Sequence, residues 1–402
     1  MMRRFRITLA VVAALALVLA ACGDDDADSD AASTDESASE ADDGQEGLQL
    51  DEPVKIALLI PRTGSAATPE VFEDPMEMAL EKLNDEGGIG GQDVEVSVYD
   101  TGFSPEDGLA ALQKAVADEP DVAMGFAITA QVLASGDVLG QQELPLIHFS
   151  AADETNLNAG GSEWSFRVKL QNSTQAAAAT RFLMEELGAE DIGLLYENSD
   201  YGKTAAESAT ETIEDAGGQV VAERDYSFDA TDLTEQVLAM KGADAVLNWG
   251  FPNTIGLQLN QFVQNGIDIP TIDSDSAVLT FQNGLAEPEA MEQFYAATVC
   301  NPGGTDRPEV QEWASEFEER YGYTPEANSA FTYDSVFLYA KAIEQAGSTD
   351  GAAIQDALAN ITYSDGVCSD TYEADEDHNL SHDTAIAFFG DGENQTVKVY
   401  EG

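Results

Sequence analysis

From Val54 onward, apolar runs of about four to seven residues alternate with longer segments whose apolar positions recur every three or four residues. The runs predict buried strands, and the longer segments predict amphipathic helices. A strand at Val54 to Ile60 precedes a helix through Met76, Met78, Ala79 and Leu83 that stops at Gly87-Gly88. Strands at Val94 to Tyr99, Val122 to Gly125 and Leu146 to Phe149 follow, with helices about Pro105 to Ala117 and after Gln131. A second series begins beyond Phe166-Arg167-Val168. Its strands are Ile192 to Tyr196, Val220 to Ala222, Ala245 to Trp249 and Thr271-Ile272; its helices are Tyr201 to Ala216, Leu233 to Met240 and Thr254 to Gln264. Such alternation builds right-handed βαβ units on a parallel sheet. The chain is longer than one core usually holds, so the pattern predicts an α/β protein of two doubly wound parallel-sheet lobes.

The tail breaks the rhythm: helices at Pro308 to Tyr321, Glu326 to Ala346 and Asp350 to Asn360 precede short strands near Ala385 to Phe389 and Thr396 to Tyr400. The start departs further. Arg3, Arg4 and Arg6 lead into an apolar run that ends at Leu19-Ala20-Ala21-Cys22. A cationic start, a short apolar core and small residues before the cut predict an export signal over residues 1–21. The cysteine after the cut resembles the bacterial lipobox, which implies that Cys22 is lipidated and becomes the mature N-terminus. Two or more acyl chains would anchor it durably. Residues 23–52 are Asp, Glu, Ser, Ala and Gly with almost no large apolar side chain, which predicts a flexible acidic tether.

Acidity extends through the whole chain of 402 residues, with 76 acidic against 17 basic side chains and a formal net charge of −59. A phosphate backbone needs a basic footprint, so nucleic acid is excluded as a partner. Self-repulsion on this scale is relieved by salt, which predicts a saline-adapted protein. Cys300 and Cys368 are an even pair in a chain expected to be exported. They permit a disulfide, two buried free thiols being the other reading.

The sequence carries no GxSxG elbow, Walker A loop, HExxH or helix-opening GxGxxG, so no enzyme is expected. His148 ends a strand and reads as a hydrogen-bonded core residue. His378 and His382, among Asp375, Asp377 and Asp383, are the best metal candidate, but the run lacks the turn glycine and terminal glutamate of a calcium loop. Neither a metal nor a cofactor is expected. Ligands of open α/β sheets sit beyond the carboxyl ends of the strands. There the chain offers Pro61-Arg62-Thr63-Gly64-Ser65, Phe126 to Ala130, Ser150 to Asp153, Glu197 to Gly202, Gly250 to Asn253 and Asp273 to Ser276. Hydroxyls and helix N–H groups suit a carboxylate, an acid suits an ammonium, and aromatic rings suit an apolar body.

At these residues the chain resembles the branched-chain amino acid receptors of ATP-binding cassette transporters, the type I periplasmic binding proteins. The likeness rests on Val54-Lys55-Ile56-Ala57, Thr63-Gly64, Leu83 to Gly91, Tyr99-Asp100, Phe166-Arg167, Asp200-Tyr201-Gly202 and Tyr333-Asp334-Ser335. It implies a three-stranded hinge, with one lobe of residues 53–169 plus 300–383 and a second of residues 170–299 plus 384–402. A Cys300–Cys368 bridge would lie in the first lobe near that hinge. The resemblance also implies a ligand set of Thr129, Ser150, Ala151, Ala152, Tyr201, Phe251 and Asp275, with Asp273 as the alternative acid. Asp275 would meet the ammonium of a small amino acid. Ala152 departs from the Thr or Ser usual there, and Asp275 is one methylene shorter than the usual Glu. Another small amide, carboxylate or aromatic acid therefore stays open. The implied protein is a monomeric receptor, held to the outer face of the cytoplasmic membrane by its lipid alone, that delivers solute to a transporter permease. A surface lipoprotein that senses a ligand and signals to a partner is the second reading.

Overall fold

In a computed structural model, the residues described are 48–401 apart from Ser65, Ala66 and His382; the side chain of Asp391 is also left aside. The expected signal, Cys22 and most of the tether lie outside them. Five parallel strands form one sheet in the order β2-β1-β3-β4-β5: β1 Val54–Ile60, β2 Val94–Asp100, β3 Val122–Gly125, β4 Leu146–His148 and β5 Ser165–Arg167. Helices α1 (Glu70–Asp85), α2 (Pro105–Ala117) and α3 (Thr129–Gln142) connect them. Helix α4 (Asn172–Arg181) then opens the second series, continuing as a π turn through Phe182–Glu186.

The second sheet has seven strands in the order β14-β13-β10-β9-β8-β6-β7. Strands β6 Asp191–Glu197, β7 Gln219–Tyr226, β8 Ala245–Trp249, β9 Thr271–Asp273 and β10 Phe294–Thr298 are parallel. Helices α5 (Asp200–Asp215), α6 (Thr234–Ala239), α7 (Pro252–Gln264) and α8 (Ser276–Gln282) link these strands. Helices α9 (Pro308–Tyr321), α10 (Ala327–Ala346) and α11 (Gly351–Ala359) follow, then a small hairpin of β11 (Thr362–Ser364) and β12 (Thr371–Glu373). Strands β13 (Thr384–Phe388) and β14 (Gln395–Tyr400) complete the second sheet with antiparallel pairing. Among the described residues, no helix is long and apolar enough to cross a membrane.

The two-residue period of β1 shows why each sheet needs helices on both sides. Val54, Ile56, Leu58 and Ile60 face a core shared with α1, α9, α10 and α11, whereas Ala57 and Leu59 face one shared with α2 and α3. Strand β8 repeats the device: Ala245, Leu247 and Trp249 pack with α4 and α5, and Val246 with α6 and α7. Because α9, α10 and α11 pack on the first sheet's core, the chain passes between the two layers after β5, after β10 and before β13. Cys300, just past β10, is disulfide-bonded to Cys368 at an S–S distance of 2.14 Å.

Several elements go beyond the sequence reading: strand β10, helices α4 and α8 and the β11–β12 hairpin have no counterpart in it, and α3 begins at Thr129 rather than after Gln131. Helix α4, Asn-Ser-Thr-Gln-Ala-Ala-Ala-Ala-Thr-Arg, has no large apolar residue to mark a periodic face. Its small buried Ala176, Ala178 and Ala179 pack closely with α5 residues Ala205, Ala206 and Ala209.

Candidate functional site

Strand order reverses between β1 and β3 in the first sheet and between β6 and β8 in the second, so each sheet has a crevice at its carboxyl edge. The loops at these edges converge. Thr129 follows β3, Ser150 follows β4, Tyr201 follows β6, Phe251 follows β8 and Asp275 follows β9.

Backbone geometry sets the first-sheet side. Gly125 ends β3 at φ 123°, and a Cβ there would lie 2.1 Å from the Leu59 carbonyl oxygen. Phe126 follows at φ 52°, a region a bulky residue enters only under tertiary constraint. Its N–H donates to the Leu59 carbonyl at 2.8 Å and its ring is fully buried. This sharp exit makes Thr129 the first residue of α3. Thr129 Oγ1 lies 2.9 Å from Ser150 Oγ, so two hydroxyls and a helix N-terminus stand together.

Ala151 and Ala152 have a different setting. Their carbonyls accept from Arg167 Nη1 at 2.8 and 3.1 Å, and Arg167 Nη2 donates to Asn156 Oδ1. The Ala151 carbonyl also accepts from the Asn172 N–H at 2.7 Å, and the Ala152 carbonyl from Thr155 Oγ1 at 2.9 Å. Their acceptor capacity is thus spent within the protein. Burial lowers the Arg167 guanidinium to about 10, against the raising influence of Asp153, Asp375, Asp377 and Glu154. His148, at the end of β4, is held well below its ordinary pKa by burial and by Arg167; its Nδ1 accepts from the Ser150 N–H at 3.3 Å.

The second-sheet side is aromatic. Tyr201 stands 5.4 Å from Phe251 and 6.3 Å from Trp249, ring centre to ring centre, and Phe228 meets Phe251 edge-on at 5.0 Å. Gly202 lets the first turn of α5 close onto β6, since a Cβ there would sit 1.9 Å from the Glu197 carbonyl oxygen. The Tyr201 hydroxyl is raised well above its usual pKa by burial and by Asp275, with Ser274 and Ser276 pulling the other way. Asn172 fixes this wall: its Nδ2 donates to the Tyr201 carbonyl and its Oδ1 accepts from Trp249 Nε1 at 2.7 Å.

The two acids at the end of β9 and just beyond it, Asp273 and Asp275, differ sharply. Asp273 is buried and accepts from the N–H groups of Ser274 at 2.7 Å and Gly250 at 3.2 Å, and from Asn248 Nδ2. Burial raises it to about 8. Asp275 is instead in an ion pair, its Oδ2 lying 2.7 Å from Lys169 Nζ. Lys169 comes from just beyond β5, so this pair spans the two sheets. Thr204 Oγ1 of α5 donating to Glu154 Oε1 at 3.2 Å, and Gln282 Nε2 of α8 donating to the Thr324 carbonyl at 3.0 Å, span them too. The cleft is closed over its lining. Glu326 lies in the electrostatic field of Asp275 and Lys169; burial raises it to about 7, while it caps α10 by accepting from the Asn328 and Ser329 N–H groups.

Lys169, Asn172, Arg167 and Glu326 were absent from the expected ligand set. A lysine in so acidic a chain is the signal that could have flagged Lys169; the others are set by three-dimensional packing. His378 stacks on Phe166 at 4.1 Å with Nδ1 3.2 Å from the Ser165 carbonyl oxygen, and His382 lies outside the described residues. No group of His, Cys, Asp and Glu able to hold a metal occurs among the described residues.

Two wound sheets closing on hydroxyls, aromatic rings and an ion pair define a two-lobed binding protein of the type I periplasmic fold. The chain belongs to the periplasmic binding protein family, which it matches over residues 53–393. It is similar to the leucine-, isoleucine-, valine-, threonine-, and alanine-binding protein of Pseudomonas aeruginosa, 25% identical over 316 residues, 77% of this chain and 83% of that protein. A Leu/Ile/Val-binding protein homolog 1 of Brucella suis is 22% identical over 309 residues, 76% of this chain and 82% of that one. Among solved structures, the branched-chain amino acid transporter substrate binding protein LivJ of Streptococcus pneumoniae, in complex with isoleucine, aligns at TM-score 0.77 and 24% identity, covering 87% of this chain and 100% of that one. A solute binding protein of an ABC transporter from Rhodopseudomonas palustris, in complex with 3,4-dihydroxy benzoic acid, also aligns at TM-score 0.77, with 20% identity, 87% of this chain and 97% of that one covered. These relatives are binding proteins rather than enzymes.

Proposed function

We propose that this protein is an extracytoplasmic solute receptor of an ATP-binding cassette importer, tethered to the outer face of the cytoplasmic membrane by lipid on Cys22. It takes a small carboxylate with an apolar or aromatic body into the cleft between its sheets. The observation that carries this reading is the convergence of the Thr129–Ser150 hydroxyl pair with the Tyr201–Phe251 wall at the carboxyl edges of the two sheets. The hydroxyls and the start of α3 would receive the carboxylate, and the rings its body. Residues 53–169 plus 300–383 and residues 170–299 plus 384–402 would be the lobes that move. Ligand would hold them closed through contacts made in the closed form alone, and a permease would read that form. The likeness to branched-chain amino acid binders favours such an amino acid. The cross-sheet Lys169–Asp275 pair, and a structural neighbour that holds an aromatic acid, favour a carboxylate of another kind.

A thermal-shift panel of amino acids, amides, small carboxylates and sugars in high salt tests the reading. A ligand at a hundredfold excess over its Kd adds about 2.7 kcal/mol to stability. Carboxylates should raise the melting point, and Ser150→Ala and Tyr201→Ala should remove the rise. A shift with sugars alone, untouched by either substitution, would contradict it.

A further inference from the structure

The ion pair in the closed cleft bears on which carboxylate the receptor takes. Lys169 Nζ lies 2.7 Å from Asp275 Oδ2, with side-chain exposures of 13% and 3%. The other carboxylate oxygen, Asp275 Oδ1, is buried without a hydrogen-bond partner among the described residues. A buried carboxylate oxygen left unmet is costly, so it marks where a donor is wanted. Beside it, the lysine ammonium carries three N–H donors, of which Asp275 takes one. The pair therefore presents an open acceptor next to available donors, and its own charges already cancel.

We propose that the ligand is a small carboxylic acid whose second polar group is a neutral hydroxyl or carboxamide rather than an α-ammonium, and that Lys169 and Asp275 read that group together. A hydroxyl donates to Asp275 Oδ1 and accepts from Lys169 Nζ through one oxygen. A carboxamide does the same with its N–H and its carbonyl. An ammonium can only donate, leaves the lysine donors unmet, and sets a second cation against Lys169 in a closed site. The carboxylate end lies with Thr129 and Ser150, and the body lies along Tyr201 and Phe251. The inference rests on the receptor reading and narrows its ligand class.

Isothermal titration of the full chain in high salt, with compounds of equal shape, tests it. The pairs are L-leucine against L-2-hydroxy-4-methylpentanoate and L-phenylalanine against L-3-phenyllactate. At least one hydroxy acid should bind the wild type about tenfold or more tighter than its amino acid twin. Lys169→Met frees Asp275 for an ammonium and should reverse that order, whereas Lys169→Arg keeps the cation and should preserve it. If an amino acid binds the wild type as tightly as its hydroxy twin or tighter, or if Lys169→Arg loses the order, the assignment falls and the receptor stands. If none of the four compounds binds and no carboxylate or amide of the thermal-shift panel does either, the small-carboxylate receptor reading falls with it.

Discussion

Asn172→Ala is the substitution whose effect follows most directly from the geometry of the aromatic wall. Asn172 is fully buried at the first position of α4, and its side chain joins the Tyr201 carbonyl at the start of α5 to Trp249 Nε1 at the end of β8. Removing it strands the indole N–H of Trp249, itself 0% exposed, which costs about 1 to 3 kcal/mol for an unmet buried donor. Loss of the bond to Tyr201 adds about 1 kcal/mol, for a total of about 2 to 4 kcal/mol. The backbone bond from the Asn172 N–H to the Ala151 carbonyl survives the change. Urea unfolding followed by tryptophan fluorescence should show a lower midpoint at unchanged slope, since the surface exposed on unfolding hardly changes. Asn172→Asp keeps an acceptor for Trp249 but points an ionised oxygen at the Tyr201 carbonyl, so it should be worse than alanine at neutral pH and recover on acidification. A stability within about 0.5 kcal/mol of wild type for Asn172→Ala, as surface changes give, would refute the reasoning.

Three buried acids predict an inverted pH profile: burial raises Asp273 to about 8, Glu326 to about 7 and Asp334 to about 6, so the folded chain keeps protons that the unfolded chain releases. Stability should fall as pH climbs from about 4 through these values, by about 3 kcal/mol for Asp334 alone, and a melting point that rises from pH 5 to 8 at fixed high salt would count against it. Added salt should raise the melting point up to molar concentrations, because among the described residues the ion pairs other than Lys169–Asp275 lie at the surface while the net charge is −59. A flat or falling response would remove the link between acidity and a saline setting. For the anchor, radiolabelled palmitate should enter the chain and Cys22→Ala should abolish both label and membrane retention; labelling that persists in the variant would place the lipid elsewhere.

What was legible from sequence follows from which forces act locally. Strands β1, β3 and β8 stand where unbroken apolar runs put them, because both faces of each are buried and the run itself is the signal. Helix α4 was hidden because alanines that pack by close approach leave no bulky periodic face, and β10 because Phe-Tyr-Ala-Ala-Thr is too short to show a period. At the site, strand-end logic reached the loops that hold Thr129, Ser150, Tyr201, Phe251 and Asp275. It could not reach their partners. The hold of Lys169 on Asp275 joins elements that meet only after both sheets are wound and closed, and the hold of Arg167 on Ala151 and Ala152 requires β4 and β5 to lie side by side. The sequestering of Asp273 by Gly250, Ser274 and Asn248 likewise depends on how β8 and β9 lie side by side.

The central claim is that a solute carboxylate lies between the two sheets. A crystal structure of the full chain grown with L-2-hydroxy-4-methylpentanoate, or with whichever carboxylate gives the largest thermal shift, tests it most directly. The account predicts ligand density with its carboxylate on Thr129 and Ser150, its body on Tyr201 and Phe251, and its second polar group between Lys169 and Asp275. Density bound elsewhere, with the Lys169–Asp275 cleft unchanged and empty, would contradict it.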